Sequence, residues 1–457
     1  MMLSRRRFLQ TSTALLLLPK AAQAVGTDLV AQEAMQQIAP DGYPATHVWT
    51  YGGGVPGVEI RLPQGKRVNR TLVNNLPQPT AVHWHGIRID NVMDGVPGLT
   101  QDAVGPGQSF EYDFAVPDAG TYWYHSHNRS VEQVARGLYG PLIVEEASPP
   151  DVGQDLTLML DDWRLDPETA HIVDDFDNGH DLSHAGRLGN LVSVNGRFDP
   201  AHPVRSGERL RLRLINASNA RVFDVALDGL TGWIVALDGM PLAEPLIVSD
   251  SFPLAPAQRA DLFVDVTSAS GEVASLVSVE RDGGFGLVRF PISAGSATMG
   301  KQGIEPLPAN SMPDVQIDAA PLHRMVMLGG AMRWLENARL GDTELTGREL
   351  AQLGRFWALN GYAERPEDPF LDARLGQTHR IEFVNETAFP HAMHLHGHHF
   401  RLVLPDGSLG PWRDTVLVER GQARQIVLVA DNPGDWLLHC HMLGHAASGM
   451  MSWFRVT

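Results

Sequence analysis

The sequence predicts an all-β protein of about three domains, and three observations predict it. Gly 45 and Pro 31 among 457 residues make turn formers abundant. Apolar residues fall in short runs that alternate with polar ones, as in Gly57-Val58-Glu59-Ile60-Arg61-Leu62 and Arg67-Val68-Asn69-Arg70-Thr71-Leu72-Val73. That is the period of a strand with one buried face. Clusters such as Gly52-Gly53-Gly54, Asn74-Asn75 and Gly105-Pro106-Gly107 separate the runs, which is the chemistry of turns.

Residues 1–24 stand apart from the fold. Ser4-Arg5-Arg6-Arg7-Phe8-Leu9-Gln10 is a basic head with a twin arginine, Ala14-Leu15-Leu16-Leu17-Leu18 a short apolar run, and Ala22-Gln23-Ala24 an A-x-A cleavage site. Together they read as a twin-arginine signal peptide. The apolar run is far shorter than the roughly 20 residues that cross a bilayer, and no second apolar span follows. The expected product is therefore a soluble periplasmic protein exported by the twin-arginine translocase, with no stable membrane insertion. Removing the four basic residues of this segment takes the formal net charge from −17 to −21, which argues against nucleic acid and anionic membrane surfaces as partners.

The first domain is expected over residues 28–147, opened by a partly polar arm at 28–44. Ala147-Ser148-Pro149-Pro150 reads as a linker. The second domain is expected over 151–293, and in it Arg209-Leu210-Arg211-Leu212-Arg213-Leu214 alternates strictly, as a half-buried strand would. A loose segment rich in Gly, Pro and Met makes residues 294–316 a second linker. The third domain is expected over 317–457, with a helix-like polar stretch at 331–353.

The chemistry concentrates near the C-terminal end. Cys440 is the only cysteine, so no internal disulfide can form in an oxidising compartment. It sits in His439-Cys440-His441, with His445 five residues on and Met450 ten residues on. On a strand, neighbouring side chains point to opposite faces. Cys440 then faces one way and His439 and His441 the other, so two metal sites can share one backbone segment. A cysteine thiolate, two histidines and a long axial methionine make a blue-copper electron-transfer site. His391 supplies the second histidine beside His445. Three more H-x-H pairs occur, His83/His85, His125/His127 and His394/His396. Residues i and i+2 share a strand face, so each pair can reach one metal cluster, and with His439/His441 the pairs supply eight imidazoles.

These motifs resemble those of the three-domain multicopper oxidases, the bacterial laccase-like and copper-oxidase types. The likeness lies in Pro79-Thr80-Ala81-Val82-His83-Trp84-His85-Gly86, Gly120-Thr121-Tyr122-Trp123-Tyr124-His125-Ser126-His127, the run from Pro390 through His398, and the run from His439 through Met450. Arg136-Gly137-Leu138-Tyr139-Gly140-Pro141-Leu142-Ile143-Val144 is similar to the family's first-domain ending. The resemblance implies three cupredoxin-like Greek-key β-barrel domains and four copper ions. It gives the type 1 copper His391, Cys440, His445 and axial Met450. It gives the type 2 copper His83 and His394, and the type 3 pair His85, His125, His127, His396, His439 and His441. The cluster then lies between the first and third domains, with the second domain as a spacer. The resemblance implies that electrons arrive at an exposed edge of His391 or His445, cross Cys440, and leave through His439 or His441 to reduce O2 to water. Asp94 stands where the family has a proton-supplying acid and is read as that acid; the alternative is a turn aspartate, which the Asp-Gly pair would explain by itself. A second family acid is replaced by Ala446.

The expected function is a multicopper oxidase that couples one-electron oxidation of phenolic or aromatic substrates to four-electron reduction of O2. The alternative is a periplasmic metallo-oxidase of Cu(I), Mn(II) or Fe(II) for metal tolerance. Met312, Met325, Met327 and Met332 are scattered rather than clustered, which favours the first. A copper-free scaffold would lack the ligands that are complete here. His398 and His399 are expected to support the site or lie at the surface rather than to ligate. His47, His171, His202, His323 and His379 read as isolated structural histidines. Asp174, Asp175, Asp177, His180 and His184 read as a solvated acidic loop, with an exchangeable metal site as the alternative.

Overall fold

The computed structural model describes residues 28–296 and 303–457; the expected signal peptide at 1–24 lies outside them. The described chain is built from three pairs of β-sheets in sequence order. The first pair has four strands in each sheet, the second six and five, and the third six and five with an added two-stranded hairpin. Alternating residues from facing sheets fill the interiors. One apolar cluster runs through the first and third pairs, from Trp84 and Tyr124 to Trp436 and Cys440. A separate one fills the second. Among the described residues no helix is long and apolar enough to cross a membrane.

Four expectations from the sequence change. Asp28–Gln36, expected within an arm, is a strand that pairs antiparallel with Thr46–Tyr51 and parallel with Arg67–Asn74. Its apolar positions Leu29 and Ala31 face the core, and the polar positions between them disguised it. The strand Arg209–Asn216 is buried on both faces. Its polar face meets the first domain rather than water: Arg211 pairs with Glu146 and Asp261, and Arg213 with Asp155 and the Thr121 hydroxyl. The polar stretch at 331–353 is mostly a hairpin, Asn337–Leu340 with Thr343–Thr346. Gly341 breaks the helical pattern with a left-handed φ of 57°. Only Gly347–Gln352 is helical, started by a reciprocal Thr346/Glu349 cap. The linker also docks: Leu307 packs against Val235 and Phe263, and the Asn310 side chain bonds both backbone groups of Ala119.

Candidate metal centre

Strand register assembles the histidines. His83 and His85 lie on Val82–His85, which pairs with Gly120–Ser126 so that His83 stands opposite His125. In the third domain His391–Leu395 pairs with Gly434–Cys440, placing His394 opposite His439 and Met393 opposite Cys440. His127, His396 and His441 follow directly at the strand ends, and His445 sits on the short helix Leu443–Ala447. The two domains face each other across this point. His83 stacks on His396 at 3.8 Å between ring centroids, and His85 on His394 at 3.7 Å.

Two aspartates lock this arrangement in an approximately two-fold pattern. His83 Nδ1–H donates to the Asp94 carbonyl at 2.9 Å, and His396 Nδ1–H donates to the Asp94 carboxylate at 2.8 Å. Across the interface, His394 Nδ1–H donates to the Asp414 carbonyl at 2.9 Å, and His85 Nε2–H to the Asp414 carboxylate at 3.3 Å. Each aspartate thus holds one imidazole of its own domain by its backbone and one of the other domain by its side chain. Asp94 reaches this position because Gly95, at φ 79°, lies against the Val82 carbonyl. Any Cβ at Gly95 would collide with that carbonyl. Asp414 was not found from the sequence. Asp94 follows its histidine by 11 residues and Asp414 follows His394 by 20, so no common spacing marks the pair.

These bonds also fix tautomers, since the nitrogen that donates carries the proton and its partner keeps a lone pair. His439 Nδ1–H donates to the Cys440 carbonyl and His125 Nδ1–H to the Ser126 carbonyl. His439 Nε2 then meets His396 Nε2 at 3.2 Å, lone pair to lone pair. His125 Nε2 lies 3.3 Å from His441 Nε2. Nε2 of His83, Nε2 of His394 and Nδ1 of both His85 and His441 are buried with no hydrogen-bond partner. Burial, followed by the neighbouring imidazoles, holds His127, His396 and His441 well below the ordinary histidine range, and His439 down to about 3. A buried nest of neutral imidazoles with converging lone pairs fits cations and little else. Among the described residues four sets of donors come within 4.8 Å here: His83/His394/His396, His83/His85/His125, His127/His396/His439 and His85/His394/Asp414.

The second site is smaller and separate. His391 Nε2–H donates to the Thr387 hydroxyl at 2.8 Å, and His445 Nε2–H to the His184 carbonyl at 2.7 Å. Their Nδ1 atoms therefore present lone pairs to one another at 3.0 Å and to Cys440 Sγ at 3.7 and 3.8 Å. Burial pushes the Cys440 thiol up to about 12 and His445 down to about 4, so in the metal-free protein all three donors are neutral. Met450 is fully buried beside them; its N–H donates to the His445 carbonyl, and its own carbonyl accepts from the Cys440 N–H. Cys440 joins the two sites covalently, with His439 and His441 on either side.

Three sequence matches identify the family: its multicopper oxidase models fit residues 32–149, 154–282 and 342–457. The chain belongs to the multicopper oxidase family. The oxidase is 32% identical to multicopper oxidase MmcO of Mycobacterium tuberculosis over 94% of its own length and 87% of that protein. It is 44% identical to Lac15 from a marine microbial metagenome, with a TM-score of 0.77 over 94% of this chain and 99% of that one. A multicopper oxidase from Pseudomonas thermotolerans is 31% identical, with a TM-score of 0.82 over 94% and 98%. Family membership makes this chain a copper enzyme that oxidises a reductant and passes the electrons to O2, on cupredoxin-like domains.

The geometry changes several expectations about the oxidase. Neither His391 nor His445 has an exposed edge; both side chains are fully buried. The reason is the second domain, which is more than a spacer. Its loop around the helix Gly179–Ser183 covers His445 with the His184 carbonyl, and its Leu182 carbonyl accepts from Trp357 Nε1–H at 2.6 Å and from the Ser448 hydroxyl at 3.0 Å. His398 and His399 are buried rather than superficial. His398 packs on Trp436 and Phe454, and His399 lies 3.7 Å from Asp414. His323 and His379 are not isolated, since parallel pairing of their strands brings their rings to 3.2 Å.

Proposed function

We propose that the oxidase holds four copper ions and draws its electrons from phenols or aromatic amines. In this reading His391, Cys440, His445 and Met450 would hold a type 1 copper. His83 and His394 would hold a type 2 copper, and a type 3 pair would be held by His85, His125 and His441 on one side and His127, His396 and His439 on the other. The observation that carries the ligand assignment is the tautomer pattern: for His83, His85, His125, His394, His396 and His439 a backbone or aspartate acceptor takes one imidazole nitrogen, and the other is left for an ion. Bound copper supplies the one-electron steps between donor and O2. The chain supplies the path: Cys440 and its two histidine neighbours join the donor sets through two peptide bonds. Asp94 is the acid this reading places beside the cluster for proton transfer, with Oδ2 on His396 Nδ1 at 2.8 Å and Oδ1 3.2 Å from His83 Nδ1.

The phenolic reading is supported by a cavity of about 470 Å³ against the helix that carries His445. Val131, Phe176, Leu182 and Ala447 give it apolar surface, and Arg129, Glu132, Arg136, Asp174 and Asp177 complete its lining. That volume falls in the range of small-ligand sites. A phenol ring would fit against the apolar part, and a carboxylate of the lining would take the phenolic proton as the electron leaves. Residues 1–24 complete the reading as a twin-arginine signal for export to the periplasm.

Oxygen uptake by the copper-loaded protein with a methoxyphenol, with and without added Cu(II), tests the donor class. Rapid uptake without added Cu(II) is expected. Uptake only when Cu(II) is added would replace the phenolic reading with a metallo-oxidase of Cu(I), Mn(II) or Fe(II).

A further inference from the structure

We infer that Trp357 is the positioning residue through which electrons reach the type 1 ligands, its buried indole standing in for the exposed histidine edge that this chain lacks. The inference deepens the proposed reading and rests on its type 1 roles for His391, Cys440 and His445 and on the donor cavity beside Ala447. Trp357 opens the strand Trp357–Leu359 and is completely buried. Its ring centroid lies 4.4 Å from that of His445 at an interplanar angle of 42°, and 5.1 Å from that of His391 at 81°. One indole therefore leans over one imidazole and meets the other edge to face. Among the described residues no other aromatic ring outside this trio contacts either imidazole.

Three contacts hold the indole in that position. Its backbone N–H donates to the Ser448 carbonyl at 3.1 Å, three residues beyond His445. Gly330, at φ 78°, lays its backbone on the ring, and a Cβ there would lie 2.1 Å from Trp357 Cη2. Glycine alone meets both the conformation and the space. The third contact points outward: Trp357 Nε1–H donates to the Leu182 carbonyl at 2.6 Å. A buried indole usually finds such an acceptor, but this one belongs to a residue that also lines the cavity.

The route from a phenol in the cavity then runs through Leu182, one hydrogen bond and one conjugated ring to His445 and His391. The competing route follows the peptide chain from Ala447, which also lines the cavity, through Ala446 to His445. It has no conjugated side chain before the imidazole. The phenol loses one electron to the type 1 site and its O–H proton to a carboxylate of the cavity lining, and leaves as a phenoxyl radical. Four such steps supply the four electrons that reduce one O2 to two waters. The indole conducts without being oxidised itself, so Nε1 keeps its proton.

The test compares copper-loaded wild type, Trp357→Phe and Trp357→Leu. Anaerobic bleaching of the blue absorption is followed by stopped flow with a series of methoxyphenols. Redox titration of the blue site gives its potential, so that rates are compared at equal driving force. Trp357→Leu removes the ring; Trp357→Phe keeps a ring over the imidazoles and removes the N–H bond to Leu182. All three proteins should be blue and share one half-saturating phenol concentration, because Trp357 lies behind Leu182. The limiting bleaching rate at equal driving force should fall about tenfold or more in Trp357→Leu and by a smaller factor in Trp357→Phe. Reoxidation of the reduced blue site by O2 should keep its rate, since that electron leaves through Cys440. If circular dichroism shows that Trp357→Leu does not fold, Trp357→Phe decides alone. Limiting rates that match wild type at equal driving force would give the electrons to the Ala447 route and overturn the inference. A raised half-saturating concentration with an unchanged limiting rate would make Trp357 a determinant of donor binding and overturn it as well. Wild-type protein that takes up copper without turning blue would refute the type 1 reading, and this inference would fall with it.

Discussion

Replacing Arg259 by Met should destabilise the whole molecule, because three domains meet on this one guanidinium. Arg259 comes from the second domain and is completely buried. Its terminal nitrogens bond both Asp414 oxygens at 2.9 and 2.6 Å in the third domain, and Nε–H donates to the Thr121 carbonyl in the first. Burial pushes the Asp414 carboxyl up, but Arg259 and then His85 and His394 outweigh it and hold the group well below the usual carboxylate range. Asp414 is therefore charged at any working pH. Methionine keeps the apolar stem as far as the Nε position and removes the partner, leaving the buried Asp414 charge without its guanidinium. Breaking a buried pair in this way costs about 3–5 kcal/mol. Denaturant unfolding of the metal-free protein, followed by tryptophan fluorescence, would measure it. Adding Asp414→Asn to the Arg259→Met background removes the orphaned charge, so the double variant should lose about 1–3 kcal/mol less than the two singles added together. A single-variant loss below about 1 kcal/mol, or strict additivity, would show that the pair contributes no more than a surface ion pair.

Other perturbations reach different parts of the site. Burial lowers His445 and His398 to about 4, and burial followed by the neighbouring His394 lowers His439 to about 3. Because these are bases with depressed folded values, the unfolded chain binds their protons first. Their stabilisation is complete above about pH 6.5 and is lost as the pH falls toward the folded values, by about 2 kcal/mol per imidazole at pH 5. Unfolding midpoints of the metal-free protein at pH 7 and pH 5 measure this, and equal midpoints would contradict it. Cys440→Ser should keep the circular dichroism of a β protein while losing the blue absorption and phenol oxidation together; a variant that stays blue would remove Cys440 from the ligand set. Asp94→Asn should slow oxygen consumption about tenfold or more while anaerobic bleaching by phenol keeps its rate, and equal slowing of both would place Asp94 on the electron path instead.

What could be read from the sequence was whatever chemistry is local to a strand. An H-x-H pair declares its shared face by period two, and His439-Cys440-His441 declares opposite faces, so the donor residues were legible before any fold was known. What was missed depends on docking between domains. Asp414 looks like an ordinary strand-end acid until the third domain sets it against His85 of the first. Arg259 carries no local signal, and Arg211 and Arg213 copy the pattern of a half-wet strand because alternation cannot tell water from a neighbouring domain. The loop at 174–184 was legible as acidic and histidine-bearing, but its position over His445 follows from a backbone carbonyl, a group that every residue type possesses. Side-chain patterns encode faces; they do not encode which main-chain group fills the last hydrogen bond.

The second domain holds no residue of the proposed ligand sets, yet it closes both of them. Arg259 secures the aspartate that braces the histidine cluster, and His184 takes the only outward-facing hydrogen of His445. Since His391 and His445 are both fully buried, no donor touches a ligand ring directly. In the proposed reading a donor would therefore stop at the residues that cover these rings, among them the 174–184 loop over His445 and Trp357 and Thr387 around His391. The ligand set then governs colour and driving force, while the second-domain loop governs which reductants come close enough. Within this architecture, changes of donor preference belong to loop residues such as Phe176, His180 and Leu182. They should leave the blue absorption unaltered, because none of these side chains reaches Cys440.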